Sequence, residues 1–164
     1  MLSCSEGHLD IVKYLLEAGS DVRRQAKDGA DCAYWASQNN HVEILDYIIP
    51  KYPDLTTRKL FQGRRLLHAA AWKGSLGSAI YILKNGGGDT LNKEDSKGNT
   101  PLTLAAYYGR LAMVKFLVQS GSDIRHVGWQ GKTALKLANI KRHTKIVGFL
   151  KKHENHQVFR PIIQ

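Results

Sequence analysis

The chain has 164 residues, of which 43% are hydrophobic and 23% are charged, and its formal net charge is +10. This composition is typical of a globular domain and excludes a wholly disordered chain, and no apolar run reaches the roughly 18 to 20 residues that span a bilayer. From Ile124 onwards nine basic residues accompany one acid, Glu154, so this end carries most of the positive charge and favours acidic partners.

The cysteine content predicts the redox environment. The two cysteines, Cys4 and Cys32, are too few for a disulfide scaffold. The first residues contain neither a basic segment nor a long apolar run, which argues against a secretory signal. We therefore expect reduced thiols and an intracellular location, in the cytoplasm, the nucleus or both.

In chain order, five segments each predict a short helix, a turn and a second helix with one apolar stripe. The residues at the five turns lie 33, 34, 35 and 33 positions apart, and they are Gly7, Asn40, Gly74, Gly109 and Arg142. A spacing that is held along the whole chain is typical of a solenoid, in which each unit stacks on its neighbours because one helix pair buries too little surface alone.

The fourth segment has the clearest local signals. A turn at Gly98 precedes Thr100, which can cap a helix, and Pro101, which is tolerated at the first helical position. Gly109 then turns the chain into the second helix, and Gly121 ends that helix.

The sequence of this segment resembles the ankyrin repeat family. Residues 98–106, Gly-Asn-Thr-Pro-Leu-Thr-Leu-Ala-Ala, are similar to the family's G-x-T-P-L-H-x-A-A, and residues 7–22 are similar to its G-H-x-x-I-V-x-x-L-L-x-x-G-A-D-V. The resemblance extends from residue 1 to about 154. It implies an all-α ankyrin-repeat solenoid of stacked helix-turn-helix units with β-turn fingers, and it is nearly silent on function because such arrays bind many unrelated partners.

The resemblance also predicts the division of the chain. We expect a partial repeat at 1–25, full repeats at 26–59, 60–94 and 95–127, a C-terminal repeat at 128–155, and a tail at 156–164. The second and third repeats lack Thr-Pro, and the second has Asp31-Cys32 in its place. We therefore expect these two repeats to pack least well, and we expect restored Thr-Pro to stabilise the second by roughly 1 kcal/mol.

Catalytic and metal-binding patterns are weak. Gly128–Thr133 ends in Gly-Lys-Thr, but the first glycine of a phosphate-binding loop is replaced by His126 and no strand precedes it. The seven histidines fall mostly at repeat positions, and the cysteines lack an activating neighbour. We expect no enzyme activity, no cofactor and no metal.

The positions that packing does not require are the turn tips and the exposed ends of the first helices, which line the concave face in ankyrin arrays. In the last three repeats these positions combine large aromatic and basic residues without an acid, a composition typical of interface hot spots. The candidate partner-binding residues are Phe61, Arg64, Trp72, Lys73, Lys97, Tyr107, Tyr108, Trp129, Lys132 and Lys141. They predict a protein-protein interaction module, a scaffold or adaptor that is monomeric as an isolated domain and binds an acidic protein or peptide with apolar anchors.

Other roles for these residues remain open. The rings could instead fill gaps between repeats; if they bind a partner, we expect Trp72, Tyr108 and Trp129 in line, about 10 Å apart from one unit to the next. A methyl-lysine reader would use an aromatic cage around Trp35, although Gln38 stands where an acid would help. The basic C-terminal repeat could bind nucleic acid or anionic lipid weakly, without reading a specific sequence.

Overall fold

The computed structural model describes residues 1–27 and 29–156, and within them ten α-helices form five consecutive pairs without a β-strand. The pairs are α1 (Leu2–Glu6) and α2 (Leu9–Glu17), α3 (Cys32–Gln38) and α4 (Val42–Ile48), α5 (Leu66–Lys73) and α6 (Leu76–Lys84), α7 (Pro101–Tyr107) and α8 (Leu111–Gln119), and α9 (Ala134–Ile140) and α10 (Thr144–His156). The all-α solenoid is therefore confirmed. No helix in this part of the chain is long and apolar enough to cross a membrane. The expected tail lies outside the described residues, apart from His156.

The helices stack in two layers. In the inner layer α3 packs between α1 and α5, and α7 packs between α5 and α9, while α4, α6, α8 and α10 form the outer layer with α2. Alanines occupy the inner contacts and let the helices approach closely; Ala33, Ala36, Ala70, Ala105 and Ala138 are completely buried. The inner helices are therefore spaced closely enough for the loops before them to form one continuous surface.

Short loops with 3-10 turns lead into several inner helices or close the outer ones. These turns span Pro53–Thr56, Phe61–Gly63, Gly88–Thr90 and Trp129–Gly131. Phe61–Gly63 and Trp129–Gly131 lie at the fingers of the third and fifth repeats, directly before α5 and α9. They present their first residues, Phe61 and Trp129, on the same side of the stack as the inner helices.

The five turn residues anticipated from the repeat spacing all have a left-handed backbone. Their φ angles lie between 59° and 86°, at Gly7, Asn40, Gly74, Gly109 and Arg142. The next residue in four of the five units donates a hydrogen bond to a carbonyl near the end of the preceding inner helix. These bonds are His41 Nε2 to Ser5 O (2.8 Å), Ser75 Oγ to Gln38 O (2.6 Å), Arg110 Nε to Trp72 O (3.1 Å) and His143 Nε2 to Tyr107 O (3.0 Å). The repeated histidines therefore join neighbouring repeats.

We expect Gly109→Ala to lower the free energy of unfolding by about 2 kcal/mol. The backbone at Gly109 has φ +74°, and a Cβ there would lie 2.7 Å from Cε1 of His143. A left-handed alanine alone costs about 1 kcal/mol. Gly121→Ala is the matched control, because Gly121 has φ +97° and open space around the added Cβ. Urea unfolding should show the larger loss for Gly109→Ala; equal losses would mean that the His143 contact contributes nothing.

The second repeat has another helix cap in place of Thr-Pro. Asp31 Oδ1 accepts a hydrogen bond of 2.9 Å from the Tyr34 N–H, as Thr100 does from Thr103 in the fourth repeat, and Arg58 lies 3.5 Å from the Asp31 carboxylate. Seven of the twelve largest fully buried side chains belong to the second and third repeats. Asp31 therefore caps α3 in the position where the fourth repeat has Thr100. The lower stability expected of the second and third repeats, and the gain expected from restored Thr-Pro, stay predictions.

The two cysteines correct the expectation of free thiols. Cys4 in α1 and Cys32 at the start of α3 are joined by a disulfide, with an S–S distance of 2.14 Å and a Cα–Cα distance of 5.3 Å. Both side chains are buried. The reason is geometric: α1 and α3 are neighbours in the inner layer, so residues 28 positions apart lie side by side. The intracellular location stays a prediction.

Candidate partner-binding surface

The fold brings most of the anticipated residues together on the side of the stack that carries the fingers and the ends of the inner helices. Trp72 and Lys73 end α5, Tyr107 ends α7 and is followed by Tyr108, and Lys141 follows α9. The remaining candidates lie in or beside the fingers that precede these helices, and they are Phe61, Arg64, Lys97, Trp129 and Lys132. Two different structural positions therefore contribute to one surface.

Four aromatic side chains form a continuous row across three repeats. The ring centroids of Trp72 and Tyr108 are 5.8 Å apart, those of Tyr108 and Tyr107 are 4.9 Å apart, and those of Tyr107 and Trp129 are 6.2 Å apart. We call these four residues the aromatic row. Such edge and tilted contacts contribute about 0.5–1.5 kcal/mol each beyond burial.

The row corrects the expected spacing of the rings. Trp72 and Tyr108 are not separated by about 10 Å, because their ring centroids are 5.8 Å apart, and Tyr107 lies between Tyr108 and Trp129. Tyr108 is exposed, and the other three rings are half-buried. The same rings therefore pack against one another and still offer one side to solvent.

Basic side chains lie over the faces of these rings. Arg64 Cζ is 5.6 Å and Lys73 Nζ is 5.8 Å from the centre of Trp72, and Lys141 Nζ is 4.4 Å from the centre of Tyr107. Lys132 Nζ is 5.6 Å from the centre of Trp129. Cation–π attraction holds each charge beside an apolar surface. The alternation of basic and aromatic residues in the sequence thus corresponds to direct contacts.

Two recesses lie on this surface. The first recess has a volume of about 220 Å³ and is lined by Trp35, Phe61, Trp72, Gln38 and Arg64, among others. Phe61, which is 58% exposed, belongs to this recess and not to the aromatic row. Trp35 lies in the second repeat, so the recess extends beyond the last three repeats, on which the sequence predicted the binding surface.

The second recess is smaller, with a volume of about 160 Å³. It is lined by Leu104, Tyr107, Tyr108 and Trp129, together with Asn99 and the basic residues Arg64 and Lys97. Among the described residues, no acidic side chain lines either recess. The surface therefore combines apolar recesses with positive charge.

Arg64 lines both recesses, and its guanidinium pairs with a buried carboxylate. Its Nε lies 3.6 Å from Oδ2 of Asp95, which is buried. Asp95 is in turn fixed by its own loop, since Oδ1 accepts hydrogen bonds of 2.9 Å from the N–H groups of Lys97 and Asn99. Among the described residues, this ion pair is the only one that the Arg64 guanidinium makes. Its outer nitrogens remain free to meet a ligand.

The segment that resembles a phosphate-binding loop is the finger of the fifth repeat. Trp129–Gly131 forms a 3-10 turn, and the Thr133 side chain accepts a hydrogen bond from the Lys136 N–H at the start of α9. The same arrangement occurs at Thr100 before α7. Within the described residues, no group of three or more His, Cys, Asp or Glu side chains could hold a metal ion.

A family model for ankyrin repeats (three copies) matches residues 1–92 and again residues 67–160. The two matches together cover nearly the whole chain and include every helix pair. They agree with the stacking of five units in the structure.

Several curated proteins are similar to the chain. A putative palmitoyltransferase ZDHHC13 of Danio rerio is 30% identical over 135 residues, which are 82% of this chain and 21% of that protein. A palmitoyltransferase AKR1 of Lachancea kluyveri is 28% identical over 145 residues, or 87% of this chain and 20% of that protein. Ankyrin repeat family A protein 2 of Mus musculus is 42% identical over 56 residues, or 34% of this chain and 18% of that protein. The chain spans about a fifth of the length of these relatives.

Proposed function

Because the chain belongs to the ankyrin repeat family, we propose that it is a protein-protein interaction module that binds its partner on the surface formed by the aromatic row and the two recesses. Ankyrin repeats are general protein-binding modules. The observation that supports this surface is the aromatic row flanked by four cations at 4.4 to 5.8 Å, with no acid lining the recesses among the described residues. Aromatic residues and arginine dominate the energetics of protein interfaces.

The charge of the surface selects the partner. A net charge of +10 attracts acidic proteins and repels basic ones, and the recesses accept apolar side chains. We therefore propose an acidic partner segment with apolar anchors, bound by a scaffold or adaptor. The module itself is proposed to be non-enzymatic, since the similarity to the two palmitoyltransferases covers only about a fifth of their length.

The two alternatives have less support. A methylammonium cage around Trp35 would share its recess with the Arg64 guanidinium, and Gln38 carries no charge that would hold a cation. Nucleic acid would meet the basic C-terminal repeat by charge alone, which gives weak binding that depends on salt. A protein partner uses both the apolar and the charged parts of the surface.

The experiment that tests the proposal is site-specific photocrosslinking. A photoreactive residue in place of the exposed Tyr108 should capture a partner, whereas the same residue in place of Lys115, exposed on the outer helix α8, should not. The captured protein is then produced recombinantly and titrated against the purified module. The proposal would be contradicted if a partner crosslinked only to the residue at position 115 and bound the Tyr108 variant as tightly as the parent chain. The interface would then lie on the outer layer.

Single-residue variants should distinguish the residues that hold the bound partner from those that speed its association by long-range charge attraction. We expect Tyr108→Ala to weaken binding by about 2 kcal/mol, or about 30-fold in Kd, because the ring is a desolvated hot spot in the complex. Lys97→Ala should weaken binding less and mainly slow association, since an exposed rim charge acts over distance. Surface plasmon resonance at two salt concentrations measures both rates. Melting curves check that each variant stays folded, and equal effects on the dissociation rate would contradict this division of roles.

A further inference from the structure

The two recesses have the size of single side chains. Their volumes of about 220 and 160 Å³ are below the roughly 300 Å³ at which pockets begin to hold drug-sized ligands. Each has an aromatic lining and an open mouth on the same surface. Two recesses of this kind fit two apolar side chains of one partner segment better than one large ligand.

A charged position separates the recesses. Arg64 lines both of them, and its guanidinium is fixed between Asp95 below and the Trp72 ring beside it. The side chain is 24% exposed, and its position in the lining of both recesses places it at the boundary between them. A carboxylate that reaches this boundary would form a charge-assisted pair with a pre-positioned guanidinium.

The distance between the recesses sets the spacing along the partner. The first recess lies between the second and third repeats, and the second is centred on the fourth. Packed helices are about 8–10 Å apart, so one and a half repeats correspond to about 12–15 Å. Four residues of extended chain span about 13 Å, and alternate side chains of an extended chain face the same side.

From this geometry we infer that the partner segment binds extended across the two recesses, with apolar side chains at positions i and i+4 and an acidic side chain at i+2 that pairs with Arg64. The inference rests on the proposed function and specifies its ligand. All three side chains face the surface because their spacing is even. The basic residues around the second recess, above all Lys97, accept further acids on either flank.

Synthetic peptides test the spacing without altering the protein. A fluorescein-labelled series in a glycine-serine background carries two leucines at i and i+3, i+4 or i+5, with one glutamate at i+2 in every peptide. Fluorescence anisotropy should show the i+4 peptide binding about tenfold more tightly than the other two, because an odd spacing turns one leucine away from the surface. Equal affinity of the i+3 and i+4 peptides would indicate a helical ligand and would overturn the inference, as would binding that does not depend on spacing.

A double-mutant cycle tests which recess takes which leucine. Phe61→Ala and Tyr108→Ala each alter one recess at an exposed ring. We expect each variant to be coupled to one leucine of the peptide. The loss of affinity that the variant causes should disappear when that leucine is replaced by alanine, and should persist when the other leucine is replaced. Replacing the glutamate by glutamine should weaken binding several-fold in the parent chain and less in Arg64→Lys. If no protein variant is coupled to any peptide substitution, the inference is overturned. The crosslinking experiment at Tyr108 tests the proposed function separately, because it does not depend on the spacing of the peptide side chains.

Discussion

Reducing the Cys4–Cys32 disulfide is expected to destabilise the first repeat by about 2–4 kcal/mol. The bond joins residues 28 positions apart, and the closed loop contains the end of α1, all of α2 and the loop before α3. A loop of this length restricts the unfolded chain by about 3–4 kcal/mol in the chain-entropy model. The helix α1 has only five residues and packs on α3 from one side, with Leu2 76% exposed. Besides the disulfide, α1 is held by its contacts with α2 and by hydrogen bonds that Ser5 O accepts from His41 Nε2 (2.8 Å) and Asn39 Nδ2 (2.9 Å).

Because solenoids unfold by units, the effect of reduction should be local. Hydrogen exchange measured with and without dithiothreitol should accelerate in α1 and α2 and change little in α7 to α10. The Cys4→Ser/Cys32→Ser variant should reproduce the reduced state and should not respond to dithiothreitol. Full alkylation of both thiols in folded protein purified without reductant would show that the bond does not form, and the free thiols expected from the sequence would then be correct.

The sequence predicted the repeat framework because its signals are local. A left-handed turn residue and the donor that follows it recur at nearly constant spacing, and all five turns have the expected backbone. The disulfide could not be found in this way. Its 28-residue separation differs from the period of 33 to 35, because Cys4 lies within α1 and Cys32 at the first position of α3. Only the packing of these two helices brings the residues together.

The sequence predicted which residues form the candidate surface, but not the contacts between their side chains. The register of the repeats identified the rings, but the direct contact of Trp72 with Tyr108 depends on side-chain rotamers. The first recess depends on Phe61, which the irregular loop of residues 50–62 places over the second repeat beside Trp35. No periodic pattern encodes a loop of this kind. The role of Asp31 as a cap was also missed, because the family pattern drew attention to Thr-Pro.

The remaining large effect concerns His68, a histidine that is completely buried in α5. Its Nδ1 accepts a hydrogen bond of 3.3 Å from the Arg65 N–H, and its Nε2–H donates to Asn99 O at 3.1 Å. The ring thus links the start of one inner helix to the finger of the next repeat. Burial lowers the pKa of His68 to about 4; the Asn99 carbonyl and Asp95 partly oppose this effect, and Arg65 and Arg64 add to it.

A lowered histidine pKa makes stability depend on pH in a defined direction. Between pH 6.5 and 4 the unfolded chain binds a proton at His68 and the folded chain does not, so the free energy of unfolding rises with pH across this window. The contribution is complete above pH 6.5 and is lost as the pH falls towards 4, by about 3 kcal/mol in total. Asp31 acts in the opposite direction, because burial raises the pKa of its carboxyl group.

Urea unfolding at several pH values between 4 and 7 should therefore show a steeper loss of stability for the parent chain than for His68→Gln. The glutamine variant keeps a hydrogen-bonding side chain of similar length but cannot titrate, so the comparison uses the slope with pH and not the absolute stability, which the substitution itself lowers. His8→Gln is the matched control, because His8 is exposed, and it should retain the parental slope. If His68→Gln and the parent chain lose stability in parallel, folding does not lower the pKa of His68. The acid sensitivity of the stack would then have to arise from other groups, such as the carboxylates.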